Sequence, residues 1–284
     1  MSFLDRIAAC NNADMADYRP LTGFGRRIGW VRRDRLDLLA AHAGAFRRDG
    51  EGVALASGLE ESERATAAVE AALRDLAAAG HIAGWRDERY RVADRFGAPP
   101  LMAVERAAAP FLGVRSWGVH MNGYVRRADG GLDLWIAERA HDKPTYPGEL
   151  DNMVAGGQPE GLGVFDNLVK ECAEEAAIPE LLARTARPVG AISYRHALES
   201  GLKPDEMFCF DLELPDAFTP RNTDGEVRAF MRLPAEEALA IVRDSARFKF
   251  NCALVLIDFF VRHGLIGPDD DPDYAEICRG LRAT

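Results

Sequence analysis

Glu171, Glu174 and Glu175 stand at positions i, i+3 and i+4 of the run KECAEEAA, so a helix there presents all three carboxylates on one side. Like charges at that spacing cost about 0.2 to 0.5 kcal/mol per pair, and Lys170 is the cation close enough in sequence to offset them. A solvated acidic face tolerates such a cost. A divalent ion exploits it, because hard cations such as Mg²⁺ take carboxylate oxygens as ligands and keep those groups ionised. The residues just ahead favour the metal. Gly156, Gly157, Gly161 and Gly163 lead into the helix, and glycine allows a backbone to approach a ligand closely.

The stretch GGQPEGLGVFDNLVKECAEEAAI resembles the Nudix box. That pattern runs Gly, five residues, Glu, seven residues, Arg-Glu, an aliphatic residue, any residue, Glu-Glu, any residue, Gly, aliphatic. Counting from Gly156, Lys170 and Glu171 fall at Arg-Glu, Cys172 at the aliphatic position, Glu174 and Glu175 at the glutamate pair, and Ile178 at the close. Leu162 stands where the first glutamate is usual, Lys170 replaces arginine and Ala177 replaces the last glycine. The three glutamates that bind metal in the family are kept, whereas the glutamate–arginine pair that braces its loop is not. LDNMVAGGQPEGL, DGEVRAFMRL and FKFNCALVLIDFFVRHG are similar to one branch of the family. It occurs as the N-terminal half of fungal thiamine pyrophosphokinases and as separate proteins.

The resemblance implies an α/β Nudix sandwich of α/β/α layers with a mixed sheet (113–284), preceded by a small α+β N-terminal domain (1–112). It also implies a Mg²⁺-dependent hydrolase, with Mn²⁺ as a substitute ion, that cuts thiamine diphosphate or its oxidised oxo and oxy derivatives to a monophosphate and phosphate. Two alternatives stay open: a Nudix hydrolase of a nucleoside diphosphate derivative such as ADP-ribose or NADH, and a diphosphate-binding module without catalysis. Leu162 in place of the first glutamate favours the last.

In such a hydrolase Glu171, Glu174 and Glu175 hold the metal, which acts as a Lewis acid. Glu226, in TDGEV at the head of a strand, is an extra metal ligand or general base, or else a turn carboxylate. Arg139 and Lys143, in ERAHDKPTYPG, are expected to meet phosphate oxygens unless they belong to a solvated loop. Gly156 and Gly157 give the substrate its backbone approach. Trp117, Trp135 and Tyr146 offer flat faces to a heterocycle, although isolated aromatics usually belong to the core. His120 and His196 read as satisfied strand histidines, and Lys249 and Asn251 carry no assignment.

These groups need a frame. WGVHMNGYVRR and LDLWIAERA, separated by ADGG, predict a hairpin, since Asp-Gly supplies the positive φ angles of tight turns. NMVAGG is a short run ahead of the acidic helix, PVGAISYRHA, EMFCFDLEL and EVRAFMRL read as further strands, PAEEALAIVRD as a helix, and FKFNCALVLIDFFVRHGLI as a helix apolar nearly all round and so buried. In the N-terminal part, EESERATAAVEAALRDLAAAGHI predicts a helix ending at Gly80, and RYRVADRF and PLMAVERA short strands. Strands and helices that interleave around hairpins predict a sandwich rather than a doubly wound parallel sheet. The 284 residues suffice for a large core, and the net charge of -10 excludes general binding to nucleic acid or anionic membrane. The partner is expected to be a small-molecule diphosphate, with a homodimer left open. The absence of a leader-like or long apolar segment predicts a cytoplasmic protein. Five scattered cysteines predict reduced thiols.

Overall fold

In the computed structural model, which describes residues 2–143 and 145–282, the chain opens on α1 (Phe3–Cys10). Ser2 and Asp5 form a reciprocal capping box there, satisfying backbone donors that a helix start leaves open. β1 (Tyr18–Gly23), β2 (Arg26–Arg32), the short α2 (Leu36–Ala40), β3 (Phe46–Asp49) and β4 (Gly52–Leu55) follow. The four strands pair in the order β2-β1-β4-β3, with β1 and β4 parallel. α3 (Ser62–Ala78) is the helix expected there; its Val69, Leu73 and Leu76 join a core with Leu21, Phe46 and Val53. The antiparallel pair β5 (Arg89–Val92) and β6 (Met102–Glu105), then α4 (Ala109–Leu112), complete this first module.

The expected hairpin follows as β7 (Trp117–Arg126) and β8 (Leu132–Arg139), with the Arg127 amide donating to the Gly131 carbonyl at 2.9 Å across the turn. Next come β9 (Leu150–Asp151), β10 (Val154–Gly157), α5 (Val164–Ala176) and α6 (Glu180–Ala183). After them run β11 (Arg187–Ser193), the small hairpin β12 (His196–Leu198) and β13 (Gly201–Lys203), then β14 (Glu206–Glu213) and β15 (Val227–Pro234). α7 (Ala235–Asp244), α8 (Phe250–Arg262) and α9 (Tyr274–Gly280) close the chain. The large sheet has the order β11-β14-β7-β8-β15, with β10 beside β7 and β9 beside β8. β14 runs parallel to β7 among otherwise antiparallel pairs, so the sheet is mixed.

Successive side chains of a strand face opposite ways, and β8 uses this fully. Leu134 and Ile136 join the core around α8, while Trp135 joins the core around Leu168 and Cys172 of α5. α5 and α6 cover one face of the sheet and α1, α7, α8 and α9 the other, which makes an α/β/α sandwich. α8 is as buried as its all-round apolarity predicts: residues 251–260 are all buried. A division of the chain at residue 112 does not hold for α1, whose Phe3, Ile7 and Cys10 pack with Leu254 and Ile257 of α8. The five cysteines are free thiols. Among the described residues, no helix is long and apolar enough to cross a membrane.

Candidate active site

The loop from β10 into α5 is fixed by two amides rather than by an ion pair. Buried Gln158 donates to the Leu162 carbonyl at 2.7 Å, and buried Asn167 donates to the Gly157 carbonyl at 2.8 Å and to Gln158 Oε1 at 3.2 Å. Together they brace the turn despite Leu162 and Lys170 at the positions of the family's glutamate and arginine. Sequence reasoning missed both amides. The available signal was Asn167, a polar residue beside Leu168 on the face of α5 that turns to the core. At the other end, Ala177 closes α5 in the left-handed region, φ 54° and ψ 33°, with the Ile178 amide donating back to the Cys172 carbonyl at 3.0 Å.

β10 lies along the acidic side of α5. Glu175 points inward, and its Oε2 accepts the Ala155 amide at 2.8 Å. Glu171 lies against Gly156, where a Cβ atom would stand 2.3 Å from its carboxyl carbon. Only glycine leaves that room. Glu174 turns outward and pairs with Lys170 at 2.6 Å, and the same ammonium reaches Glu171 at 3.3 Å. Burial pushes Glu175 well above the ordinary carboxyl range, and the fields of Asp151, Glu171 and Glu226 add to it. Glu171 is raised as well, chiefly by burial, with Lys170 opposing. Removing carboxylates from water disfavours their charge unless a cation compensates. Lys170 already supplies one positive charge between two of the three, so a hard divalent ion fits both the donor chemistry and the electrostatics. Glu171, Glu174 and Glu175 would hold it, after Glu174 swings inward from Lys170.

Glu226 joins this group through its turn. Asn222 Oδ1 accepts the Asp224 and Gly225 amides at 3.2 and 3.0 Å, and Asp224 accepts the Glu226 amide at 2.8 Å. Thr223 ties the turn to α5 by donating to the carbonyls of Ala173 and Glu174. Glu226 forms an ion pair with Lys143; burial opposes its ionisation, yet Lys143, Arg106 and Arg139 outweigh that and hold its carboxyl below the usual range. Lys143 therefore reaches the site through Glu226. Arg139 does not reach out to solvent: it binds Asp151 at 3.0 Å and the carbonyls of Tyr146 and Thr145 at 3.0 and 2.8 Å, a strut for the loop between β8 and β9.

Asp151 is the buried hub behind the site. Burial works against its charge, but Lys249 at 3.4 Å and Arg139 more than compensate and hold the carboxyl far below its ordinary range. Among the described residues, His120, Asp151 and Cys252 are the one group of three acidic, histidine or thiol donors lying within 4.8 Å of one another. They do not suit a metal, since two cations already hold Asp151 and the Cys252 thiol donates to it at 2.5 Å. Desolvation lowers His120 to about 4, and its ring is satisfied by Asn152 at 2.9 Å, as the strand-histidine reading anticipates. His196 stacks on Phe250 at 4.0 Å. Asn251 lies within the same buried region, 3.5 Å from the Tyr194 hydroxyl. Trp117 and Trp135 are core, Trp117 against Phe96 of the first module at 5.7 Å, and Tyr146 leans on Phe250 at 5.4 Å.

The first module touches the loop directly. The Glu160 amide donates to the Arg89 carbonyl at 2.9 Å, and a Cβ on Gly157 would fall 1.7 Å from the Tyr90 hydroxyl oxygen. An open groove of 710 Å³ nearby, lined by Glu63, Glu70, Arg74, Arg89 and Glu160 among others, lies outside the carboxylate group, and its arginines are already paired with Glu70 at 2.8 and 2.5 Å.

Residues 2–116 match a family model described as a domain of unknown function (DUF4743). The chain is 40% identical over 289 residues to Nudix hydrolase 24, chloroplastic, of Arabidopsis thaliana, covering 99% of this chain and 77% of that protein. It is likewise 40% identical over 292 residues, with the same shares, to Nudix hydrolase 20, chloroplastic, of the same plant. Among solved structures, DR0079 from Deinococcus radiodurans is similar over 59% of this chain and 97% of its own, at 22% identity and a TM-score of 0.44. Likeness at 40% identity that runs through both modules, not only through the acidic helix, makes the whole chain a member of the Nudix hydrolase family and an enzyme of its diphosphate-hydrolysing kind.

Proposed function

We propose that this enzyme hydrolyses the diphosphate of thiamine diphosphate, or of its oxo and oxy derivatives, with Mg²⁺, or Mn²⁺ in its place, held by Glu171, Glu174 and Glu175. Water adds to the terminal phosphorus, the bridging P–O bond breaks, and the monophosphate and inorganic phosphate leave. The observation that carries the metal-dependent reading is the placement of Glu175 on the Ala155 amide and of Glu171 against Gly156, both on α5 beside β10, where burial raises both carboxyls and the field of Glu171 adds to the shift of Glu175. The thiamine assignment rests on the resemblance of the box and its flanking segments.

When bound, the metal supplies Lewis-acid polarisation of phosphoryl oxygens. The chain does the positioning. The Ala155 amide fixes the inward carboxylate of Glu175, Gly156 leaves room for Glu171, and the amide-braced loop sets where α5 begins. In this reading Glu226, kept ionised by Lys143, accepts the proton of the attacking water. A depressed pKa makes it a weaker base than one poised near neutrality, but keeps it in the accepting form at physiological pH.

The test follows phosphate release and nucleoside monophosphate release side by side in Mg²⁺ across thiamine diphosphate, its oxidised analogues, ADP-ribose and NADH. Glu174→Gln and Glu175→Gln are expected to lower turnover at least ~100-fold, about 2.7 kcal/mol of transition-state stabilisation, with folding retained. Full activity in either variant removes the metal assignment. Preference for ADP-ribose or NADH, with nucleoside monophosphate as product, removes thiamine.

A further inference from the structure

Most cations around the carboxylates are already committed to them or to the frame behind them. Lys170 serves Glu171 and Glu174, Lys143 serves Glu226, and Arg139 and Lys249 serve Asp151. A diphosphate nevertheless brings several negative charges to an acidic locus, and those not met by a metal need donors from protein. One arginine stands apart from this set, and it comes from the first module.

Arg106 follows β6 directly, and its backbone amide donates to the Glu88 carbonyl at 2.8 Å. Its guanidinium lies 5.8 Å from the centre of the Tyr90 ring. Nη1 pairs with Glu88 at 2.7 Å, while among the described residues Nε and Nη2 make no hydrogen bond. The side chain is 40% exposed, and neither of these two donors is sealed from solvent. The Tyr90 hydroxyl in turn meets Gly157, the residue after the one against which Glu171 packs. The charge of Arg106 acts on both Glu171 and Glu226. Glu88 and Glu226 favour the charged guanidinium against the opposing effect of burial. A fixed cation with two unengaged N–H donors, beside the two-glycine strand and within electrostatic reach of two of the site's carboxylates, has the geometry for bidentate recognition of phosphate oxygens.

We propose that Arg106 binds a phosphate of the diphosphate substrate, so that the module of unassigned function completes the active site across the interface made by Tyr90 and Gly157. The proposal rests on the diphosphate-hydrolase reading above, but its test does not depend on turnover alone. Calorimetry on the full chain in Mg²⁺, with methylenediphosphonate as a non-hydrolysable probe, compares wild type with Arg106→Gln, Arg106→Lys and Glu88→Gln. Loss of charge-assisted hydrogen bonds predicts about 30-fold weaker binding in Arg106→Gln and an intermediate loss in Arg106→Lys, which keeps charge but not the fork. Glu88→Gln, which breaks the same ion pair from the other side, is expected to bind within about threefold of wild type. KM for the hydrolysed diphosphate should rise in parallel with the binding loss. Unchanged affinity in Arg106→Gln overturns the proposal, as does wild type that fails to bind the probe. An equal loss in Glu88→Gln also overturns it, because the ion pair would then matter only structurally. Failure of the hydrolase reading has a different signature: wild type releases neither phosphate nor monophosphate from any diphosphate in Mg²⁺, while probe binding and its dependence on Arg106 are unchanged.

Discussion

At the scale of single residues, the site depends on what is missing at position 156 as much as on the carboxylates. A methyl group there would come within 2.6 Å of both Cγ and Oε1 of Glu171, meeting the end of a flexible side chain rather than backbone. Gly156→Ala should therefore fold with a melting temperature close to wild type but move one carboxylate of three. Misplacing a positioned group by about 1 Å can cost about 100-fold in rate, so a fall in kcat/KM of about 10- to 100-fold is expected, measured beside thermal melting. Unchanged kcat/KM would mean that Glu171 does not act from the position seen here. That the three carboxylates share one helix was legible in the sequence from its periodicity. Their division of labour was not. That Glu175 turns inward follows from the Ala155 amide on the neighbouring strand, and that Arg139 serves the frame follows from Asp151, a residue with no motif around it.

At the scale of elements, α5 ends under strain. Ala177 adopts a left-handed conformation that costs an L-residue with a Cβ roughly 1 to 2 kcal/mol and glycine almost nothing. Glycine loses more freedom on folding, which takes back part of the gain. Ala177→Gly should stabilise the protein by about 1 kcal/mol, raising the melting temperature by roughly 2 to 4 °C for a chain of this size, with activity kept. A decrease would show that the Ala177 side chain contributes more by packing than its backbone costs. The departure from the box at this position was visible in the sequence, while its energetic meaning needed the φ angle. The same contrast runs through the fold. β8 and α8 announce themselves, one as a β-prone run set off by a turn signal and the other by apolarity nearly all round. β3, with the sequence FRRD and one buried residue, carries no such pattern, and neither does the attachment of α1 to a helix about 240 residues away, through the Cys10 thiol to the Phe250 carbonyl among other contacts.

At the scale of the whole molecule, a net charge of -10 and a partly buried carboxylate group make folding sensitive to protons and divalent ions together. Glu175 and Glu171 have folded-state pKa values above the ordinary range, so without metal the native state holds their protons longer than the unfolded chain does. Their contribution is then most favourable below the unfolded carboxyl pKa and is lost as pH rises through the folded values. Asp151 and Glu226 are lowered and act the other way, contributing stability above the unfolded pKa that is lost as pH falls through the folded values. Ion binding requires ionised ligands and so should strengthen with pH. In chelator, raising pH from about 6 to about 8 should lower the melting temperature of wild type more than that of Glu175→Gln. Mg²⁺ at about 100 times its dissociation constant should restore about 2.7 kcal/mol, roughly 5 to 10 °C. That increment should be larger at the higher pH and nearly absent in Glu175→Gln, because the variant lacks the inward ligand. Equal Mg²⁺ increments in wild type and Glu175→Gln would separate the ion from the inward carboxylate, and with it the stability of the molecule from the chemistry of α5.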